Sequence, residues 1–506
     1  MKNRKGYCVN MVKIANYLYR RYMVYALLLG IAAIFVVLFS YSTSPLYPNY
    51  YGLDYGGDSA QFLTVGKAWS EGLIPYRDTF DHKGPIIFFI DMLGYSIFNS
   101  KSGIAFFQII SMFFFCLSIY KISTLWKPSR VYGLLSIIST LFILKIDYLN
   151  GNTVEEYCLS FIGFSIYFQL SFLNKSSDGR KSHPSKYAFF YGVTLAIGLM
   201  TRLTNVLPIC LGVLVITCLL IYRKNFVNLF QNVGGFIAGF LVLFLPFYLY
   251  FVFQGAAEEF WFAVLGFNME YNAGMKAWLY KATANDITNF IKDFLPWFLC
   301  AFSVYPAFRR NKAIAALYFL WTVAEFYLFC SGSLFAQYSI IAIPQVALFL
   351  NEIMLYNSQE KESNSIIRMV GLAFLVVVCY NVAYQMVPLA ADKYQAAKDP
   401  PIKQYQLLID KIPEEDRNFF VAYGGNSLKD IYLVENLLPC YKYFVIQPWH
   451  SNFSEAVRQD VHTTFAQCKA KWILTEGSTE IIQDILDAKY EVAGVAEEYT
   501  LYQLVS

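Results

Sequence analysis

The chain has 506 residues, of which 57% are hydrophobic and only 15% are charged. Soluble domains carry about 25% charged residues and do not gather their apolar residues into runs of roughly 20, the length that spans a bilayer. The composition therefore excludes an ordinary soluble protein, and a net charge of +4 without a basic stripe argues against a nucleic-acid partner.

The apolar runs predict an α-helical polytopic membrane protein with about eleven to thirteen transmembrane helices, because a β-barrel would show short alternating segments instead. One further run, Ile86–Phe98, is short for a span and predicts a re-entrant or interfacial helix. If it does cross, a partner crossing must lie nearby. The candidate spans are Tyr22–Tyr41, Ile104–Trp126, Val131–Leu149, Glu155–Leu173, Tyr187–Thr201, Leu203–Tyr222, Val233–Phe253, Ile291–Phe308, Ala313–Ser331, Tyr338–Tyr356 and Ile366–Pro388.

The distribution of Lys and Arg between the spans predicts the orientation of the chain. A basic N-terminal segment precedes the first span, and it is expected in the cytoplasm as a retained start rather than a cleaved signal. The other basic connections can then all be cytoplasmic as well. This threading places the long connections Ser42–Gly103 and Gln254–Phe290, and the tail, outside the cytoplasm.

The chain changes character near residue 391, where charged residues become frequent and apolar runs shorten. Short strand-like runs alternate there with helix-like stretches, which is typical of a small α/β domain. We therefore expect a transmembrane domain over 1–390, whose first external loop covers about 42–103, and a soluble extracytoplasmic domain over 391–506. The predicted strands are Phe419–Tyr423, Tyr443–Ile446, Trp472–Thr475, Tyr490–Val495 and Tyr499–Val505.

The first external loop carries the chemically most informative residues. Asp58 follows two glycines, and Ser59–Glu71 reads as an amphipathic helix that could lie in the membrane interface. Asp81, His82 and Lys83 follow, just before a Gly-Pro pair and an apolar run. Solvation alone explains any one such charge in a wet loop. A cluster of ionisable groups beside hydrocarbon, however, favours a functional site.

These residues resemble the first loop of the GT-C superfamily of polyprenyl-phosphate-sugar glycosyltransferases, in the branch of protein O-mannosyltransferases and aminoarabinose transferases. Ser59 stands where that family commonly has a second acid, which leaves Asp58 as the sole acidic candidate. Gly198–Arg202 and Gln337–Pro344, further along the chain, resemble motifs of the same family more weakly. The matching segments are Gly57-Asp58-Ser59-Ala60, Gly66-Lys67-Ala68-Trp69, Gly72, Pro75-Tyr76 and His82-Lys83-Gly84-Pro85.

The resemblance implies a GT-C-like fold and an inverting transfer of a sugar from a polyprenyl-phosphate donor to an acceptor hydroxyl outside the cytoplasm. The acceptor needs a general base, assigned to Asp58. The leaving phosphate needs cations, assigned to Lys83 and Arg202. Arg202 has an alternative explanation, since it could snorkel to the interface beside a helix break.

Further candidates surround this set. Asp81 and His82 could bind a divalent metal ion or substrate, although two ligands do not make a metal site. Glu155 and Glu156 could bind the acceptor, or they could simply favour the positive end of a helix. Tyr338, in the late aromatic–apolar–Pro segment, is a further candidate for acceptor binding.

Two other functions compete with that of a glycosyltransferase. A transporter or flippase of lipid-linked saccharides is the main alternative, but the sequence shows no internal repeat and its acids gather in one external loop. A polymerase or ligase of surface polysaccharide would be expected to carry its main polar loop late in the chain. We expect a multi-pass protein of a bacterial cell membrane, with lipids, a lipid-linked sugar and a glycan, lipid or protein acceptor as partners.

Overall fold

The computed structural model describes residues 22–51, 57–126, 129–177, 181–274, 282–330, 335–359, 365–400 and 403–505. The basic N-terminal segment, on which the expected cytoplasmic start depends, lies outside these residues.

Helices form at each predicted span, which confirms a polytopic helical membrane protein. Within the residues that the structure describes, six of them are long and apolar enough to cross a bilayer: Tyr22–Phe39, Ser102–Ser123, Val154–Ser176, Leu203–Tyr222, Phe226–Phe253 and Lys312–Cys330. The helices at the other predicted spans are Arg130–Asp147, Ser185–Leu199, Leu295–Arg310, Gln345–Gln359 and Ser365–Lys398.

Shorter elements connect these helices. The predicted break near Arg202 is confirmed, because helix Ser185–Leu199 ends there and a 3₁₀ turn, Leu203–Val206, precedes helix Leu207–Tyr222. A second 3₁₀ turn, Ala336–Ala342, contains Tyr338. The connection after residue 253 folds as Ala257–Trp261, a π-helical turn Phe262–Gly266, Phe267–Gly274 and Ala284–Asp293.

The helix that follows Asp58 differs from its prediction. It covers Asp58–Ser70, and all of its residues except Asp58, Lys67 and Ser70 are buried. The prediction of an amphipathic helix is therefore wrong, because helix Pro85–Phe98 packs on it from one direction and helix Ile431–Val434 of the tail from another. Its position in the membrane interface stays a prediction. A Cβ atom on Gly66 would lie 2.2 Å from the Cβ of Asp91, so this close helix crossing requires glycine.

The short apolar run before residue 98 forms helix Pro85–Phe98. Proline at its start suits a helix, since the first turn needs no backbone donor there. Its 14 residues span about 21 Å, which is shorter than the hydrocarbon core. Its re-entrant or interfacial character stays a prediction.

The tail forms the expected α/β unit around a four-stranded sheet. Strands β1 (Phe420–Gly424), β2 (Trp472–Glu476), β3 (Tyr490–Ala496) and β4 (Tyr499–Leu504) lie in the order β1-β2-β4-β3. β1 and β2 are parallel, and the other two pairs are antiparallel. The helices of the unit are Gln406–Ile409, Ile431–Val434, Gln447–Ser451, Glu455–Ala466 and Gln483–Lys489, with 3₁₀ turns at Glu414–Phe419 and Asn426–Leu428.

The predicted strand Tyr443–Ile446 is wrong. This segment is buried but unpaired with the sheet, because it lies against the first loop instead. There the backbone N–H of Phe80 donates to the carbonyl of Lys442 at 2.8 Å. Helix Ser365–Lys398 runs continuously across residue 390, so the domain division expected there stays a prediction. The docking of the tail on the first loop is what builds the candidate site.

Candidate active site

A cavity of about 460 Å³ opens where the first loop, the polar turns near residues 150 and 202, and the α/β unit meet. Seven of the eight residues predicted as a site line it: Asp58, Asp81, His82, Lys83, Glu155, Arg202 and Tyr338. The fold thus brings together groups that are up to 280 residues apart in the sequence. Glu156 is the exception.

Asp58 begins its helix at the cavity wall, and its side chain is 47% exposed. Its Oδ1 accepts a hydrogen bond from the Nζ of Lys429, at 2.8 Å. Burial opposes ionisation of this carboxyl, but the positive charges of Lys429 and Lys83 outweigh it and hold the pKa of Asp58 below its ordinary value. Asp58 is therefore an ionised carboxylate at neutral pH.

Lys83 is held by its neighbours in the loop. Its backbone N–H donates to Asp81 Oδ1 at 2.8 Å, and its Nζ lies 2.9 Å from the Nε2 of His82. Within the part of the chain that the structure describes, its ammonium makes no ion pair with a carboxylate. Lys83 is thus a cation at the cavity wall that an anionic ligand can engage.

Arg202 lies at the break between two helices, and its side chain is fixed from two directions. Its Nη1 lies 3.3 Å from Glu155 Oε1, and its guanidinium carbon lies 3.5 Å from the centre of the Tyr338 ring. A guanidinium over an aromatic face is a favourable cation–π arrangement. These contacts hold Arg202 against the cavity wall. A snorkelling side chain would instead extend away from the cavity.

Glu156 belongs to a separate buried network beneath the cavity. Its Oε1 accepts from the hydroxyl of Tyr148 at 2.6 Å, and its Oε2 accepts from Gln108 Nε2 and from the backbone N–H of Asn152, both at 2.9 Å. Asn152 in turn donates to Asp91 at 3.1 Å. Such a network fixes the turn that carries Glu155, so the geometry gives Glu156 a supporting position.

Two histidines near the cavity are kept neutral by their surroundings. Burial, with the nearby charge of Lys83, lowers the pKa of His82 well below its ordinary value. Burial and the charges of Lys429 and Lys83 lower the pKa of His450 to about 3. Burial has the opposite effect on a carboxyl, and it raises the pKa of Asp81 to about 6 against the attraction of Lys83.

Aromatic rings form another part of the wall. Tyr271, from the connection after residue 253, and Trp449, from the α/β unit, lie with ring centres 5.4 Å apart and both line the cavity. The His82 ring lies 5.5 Å from that of Trp449. Aromatic faces with a polar edge are surfaces on which sugars pack well.

Sequence reasoning missed the contribution of the α/β unit. Lys429, Trp449, Ile446 and Asn426 line the cavity, and Lys429 pairs with an acid 371 residues earlier in the chain. No local signal marks Lys429, since it is one of many lysines in a polar tail. Only the docking of the tail on the first loop reveals its role.

The predicted metal ligands do not assemble into a site. Asp81 and His82 are adjacent, with His82 Nδ1 3.9 Å from Asp81 Oδ1. The described residues contain no group of three or more His, Cys, Asp or Glu side chains that could hold a metal ion. Among the described residues, the side chains at this position therefore do not fit a metal centre.

The fold has clear relatives among solved structures. The structure of ArnT, an aminoarabinose transferase, from Cupriavidus metallidurans bound to undecaprenyl phosphate matches 95% of this chain and 98% of its own, with a TM-score of 0.59 at 11% identity. The apo structure of the same protein matches 95% and 97%, with a TM-score of 0.56 at 13% identity. This chain shares the fold of ArnT.

The GT-C resemblance inferred from the first loop is thus confirmed at the level of the fold. An oligosaccharyltransferase from Archaeoglobus fulgidus, solved with a tethered acceptor peptide, also matches, over 92% of this chain and 72% of its own, with a TM-score of 0.47 at 14% identity. The sequence matches no protein-family model, and it matches no curated protein.

Proposed function

We propose that this protein is an integral-membrane glycosyltransferase that moves a sugar from a polyprenyl-phosphate donor to an acceptor hydroxyl on the extracytoplasmic side. One observation carries the proposal: the carboxylate of Asp58 faces the same cavity as the cations of Lys83 and Arg202. The fold supports the class of donor, because it is shared with ArnT, whose structure holds undecaprenyl phosphate.

The proposed reaction is a single displacement. The acceptor oxygen attacks the anomeric carbon of the sugar, and the bond from that carbon to the phosphate oxygen breaks. The acceptor proton passes to Asp58, and the bond electrons leave with polyprenyl phosphate. Because the attack comes from the face opposite the leaving group, the transfer inverts the anomeric configuration. A base positioned for such a proton transfer typically contributes about 10²- to 10⁴-fold in rate.

Lys83 and Arg202 would stabilise the leaving phosphate. Its negative charge grows as the sugar–oxygen bond breaks, so cations fixed beside it favour the transition state over the bound donor. A charge pair about 4 Å apart is worth roughly 4 kcal/mol at an effective dielectric constant near 20. Arg202 is already oriented by Glu155 and Tyr338, and therefore needs little reorganisation.

The remaining walls suit the other parts of the substrates. Tyr271 and Trp449 offer ring faces for a sugar, and Tyr338 presents a phenol beside Arg202. Glu155 lies at the same wall, and its second carboxylate oxygen can accept a hydrogen bond from an acceptor or sugar hydroxyl while the first stays beside Arg202. Asp81 supports Lys83 through its backbone.

The decisive experiment follows the sugar–phosphate bond itself. Purified protein is incubated with undecaprenyl-phosphate-linked sugars and a membrane extract from cells that lack the gene, and released undecaprenyl phosphate is measured by mass spectrometry. We expect release that depends on the extract, a new glycan in it, and loss of both with Asp58→Asn. A flippase would move the donor across vesicles without breaking this bond, and that result would refute the proposal. Asp484→Asn, an exposed acid of the α/β unit, is the matched control.

A further inference from the structure

The charged residues that line the cavity balance one another. Three cations, Lys83, Arg202 and Lys429, face three carboxyls, and each carboxyl lies beside one cation. Arg202 pairs with Glu155 at 3.3 Å, and Lys429 pairs with Asp58 at 2.8 Å. Asp81 accepts from the backbone of Lys83. A phosphate that enters therefore competes with Glu155 for Arg202 and with Asp58 for Lys429.

The pair of Lys429 and Asp58 stands out, because it ties up the proposed base. A carboxylate in a charge-assisted hydrogen bond is a weak proton acceptor, and each unit of depressed pKa costs about tenfold in basicity. The acceptor proton moves to Asp58 in the proposed reaction. Without a ligand, the ion pair with Lys429 therefore lowers the basicity of Asp58.

We propose, on the basis of the proposed function, that Lys429 is a latch on Asp58 that the donor phosphate opens. When the donor binds, the ammonium of Lys429 turns from the carboxylate to a phosphate oxygen and becomes a third phosphate ligand. Asp58 is then free to take the acceptor proton. Before the sugar donor binds, Lys429 is a positioning residue that holds Asp58. Afterwards it binds the phosphate of the donor.

The local structure permits such a movement of one side chain. Lys429 lies between the 3₁₀ turn Asn426–Leu428 and helix Ile431–Val434, and its backbone is fixed by the next residue. The carboxylate of Asp430 accepts from Lys403 Nζ at 2.6 and 2.7 Å. The ammonium of Lys429 therefore moves on its own four-carbon stem while the turn stays in place. A lysine suits this task, since its charge is compact and its donors rotate.

The latch makes an unusual prediction about binding in the absence of any reaction. Affinity for undecaprenyl phosphate in detergent is measured for the wild type, Asp58→Asn, Lys429→Met and the double variant. Methionine keeps the stem of Lys429 and removes its charge. We expect Asp58→Asn to bind about tenfold more tightly, because Lys429 is released, and Lys429→Met to bind about tenfold more weakly.

The double variant separates the latch from general electrostatics. If Asp58 only repels the phosphate, Asp58→Asn gains the same factor with or without Lys429. If Asp58 competes for Lys429, the gain falls to less than about threefold in the Lys429→Met background. An unchanged gain would overturn the latch. Thermal unfolding of each variant checks that the fold is kept, and Lys429→Arg, which restores the charge, should recover most of the affinity.

Two further variants keep this test apart from the proposed function. Lys471→Met changes the same charge at an exposed site of the α/β unit and should bind like the wild type. Lys83→Ala should weaken binding through the donor site alone. If the wild type does not bind undecaprenyl phosphate and Lys83→Ala changes nothing, the proposed donor is wrong. If both behave as expected and the double-variant comparison shows no coupling, the latch alone is wrong.

Discussion

The backbone N–H of Gly84 donates to the carbonyl of Thr201 at 3.0 Å. Each of these residues stands next to a cation of the candidate site, Lys83 before Gly84 and Arg202 after Thr201. A second bond, from the N–H of Ile86 to the carbonyl of Met200 at 3.1 Å, continues the contact. The two cations proposed to bind phosphate are therefore fixed relative to one another by backbone, whatever their side chains do.

Gly84→Ala should disrupt this contact. A Cβ atom on Gly84 would lie 2.1 Å from the carbonyl carbon of Met200, although the backbone conformation itself suits alanine. The segments around Gly84 and Met200 must then move apart, which costs about 1–3 kcal/mol of folding free energy. We expect a lower melting temperature and weaker binding of undecaprenyl phosphate. Gly234→Ala is the control, since a Cβ there meets nothing within 4 Å; equal effects of both variants would contradict the argument.

Lys83→Ala should weaken donor binding, because Lys83 is a cavity cation without a carboxylate partner among the described residues. Loss of a hydrogen bond to a charged group typically costs about 1.5–3 kcal/mol, so we expect a dissociation constant for undecaprenyl phosphate that rises about 10- to 100-fold. Titration of the lipid into detergent-solubilised protein measures it. Lys489→Ala, at an exposed helix end, should leave it unchanged.

Arg202→Lys should lower the transfer rate although it keeps the positive charge. The reason is that the planar geometry of the guanidinium is lost. Lysine cannot lie flat against Tyr338 as the guanidinium does, nor can it present a planar fork to Glu155 and a phosphate together. We expect a drop of about tenfold or more in kcat/KM. A rate equal to that of the wild type would show that Arg202 acts only as a distant charge.

Asp81→Asn should alter how phosphate affinity depends on pH. Because the pKa of Asp81 is raised to about 6, its carboxyl is charged at pH 7.5, where it opposes a phosphate near Lys83, and neutral at pH 5. We therefore expect the variant to bind undecaprenyl phosphate about three- to tenfold more tightly than the wild type at pH 7.5 and equally at pH 5. The ratio of the two affinities at each pH cancels the titration of the lipid itself. A constant ratio would contradict the prediction.

The sequence predicted the helical membrane part and seven of the residues that line the candidate site, for a physical reason. Transmembrane spans can be identified from the length and hydropathy of apolar runs. Ionisable residues such as Asp58 and Lys83 are conspicuous because the surrounding sequence is apolar. The same reasoning could not find Lys429, because lysine in a polar tail carries no local signal. Nor could it show that most residues of helix Asp58–Ser70 are buried, since a tail segment that packs on it lies more than 350 residues away in the sequence.

The wrong strand has a related cause. Tyr443–Ile446 is apolar and buried, which satisfies the strand pattern, yet it pairs with none of the four strands, and the carbonyl of the preceding Lys442 accepts from Phe80 of the first loop. Periodicity reports burial and cannot report what does the burying. Errors of this kind therefore gather at the surface where the two parts of the chain meet.

Because Lys429 and Trp449 supply one wall of the cavity, the protein cannot be divided at the end of its last membrane helix without opening that chamber to water. Without the α/β unit, the cavity would lose the side chains of Asn426, Lys429, Ile446 and Trp449. The α/β unit is thus part of the candidate site, and it cannot be removed or exchanged without changing the cavity. Any graft onto a related scaffold has to carry its matching first loop along.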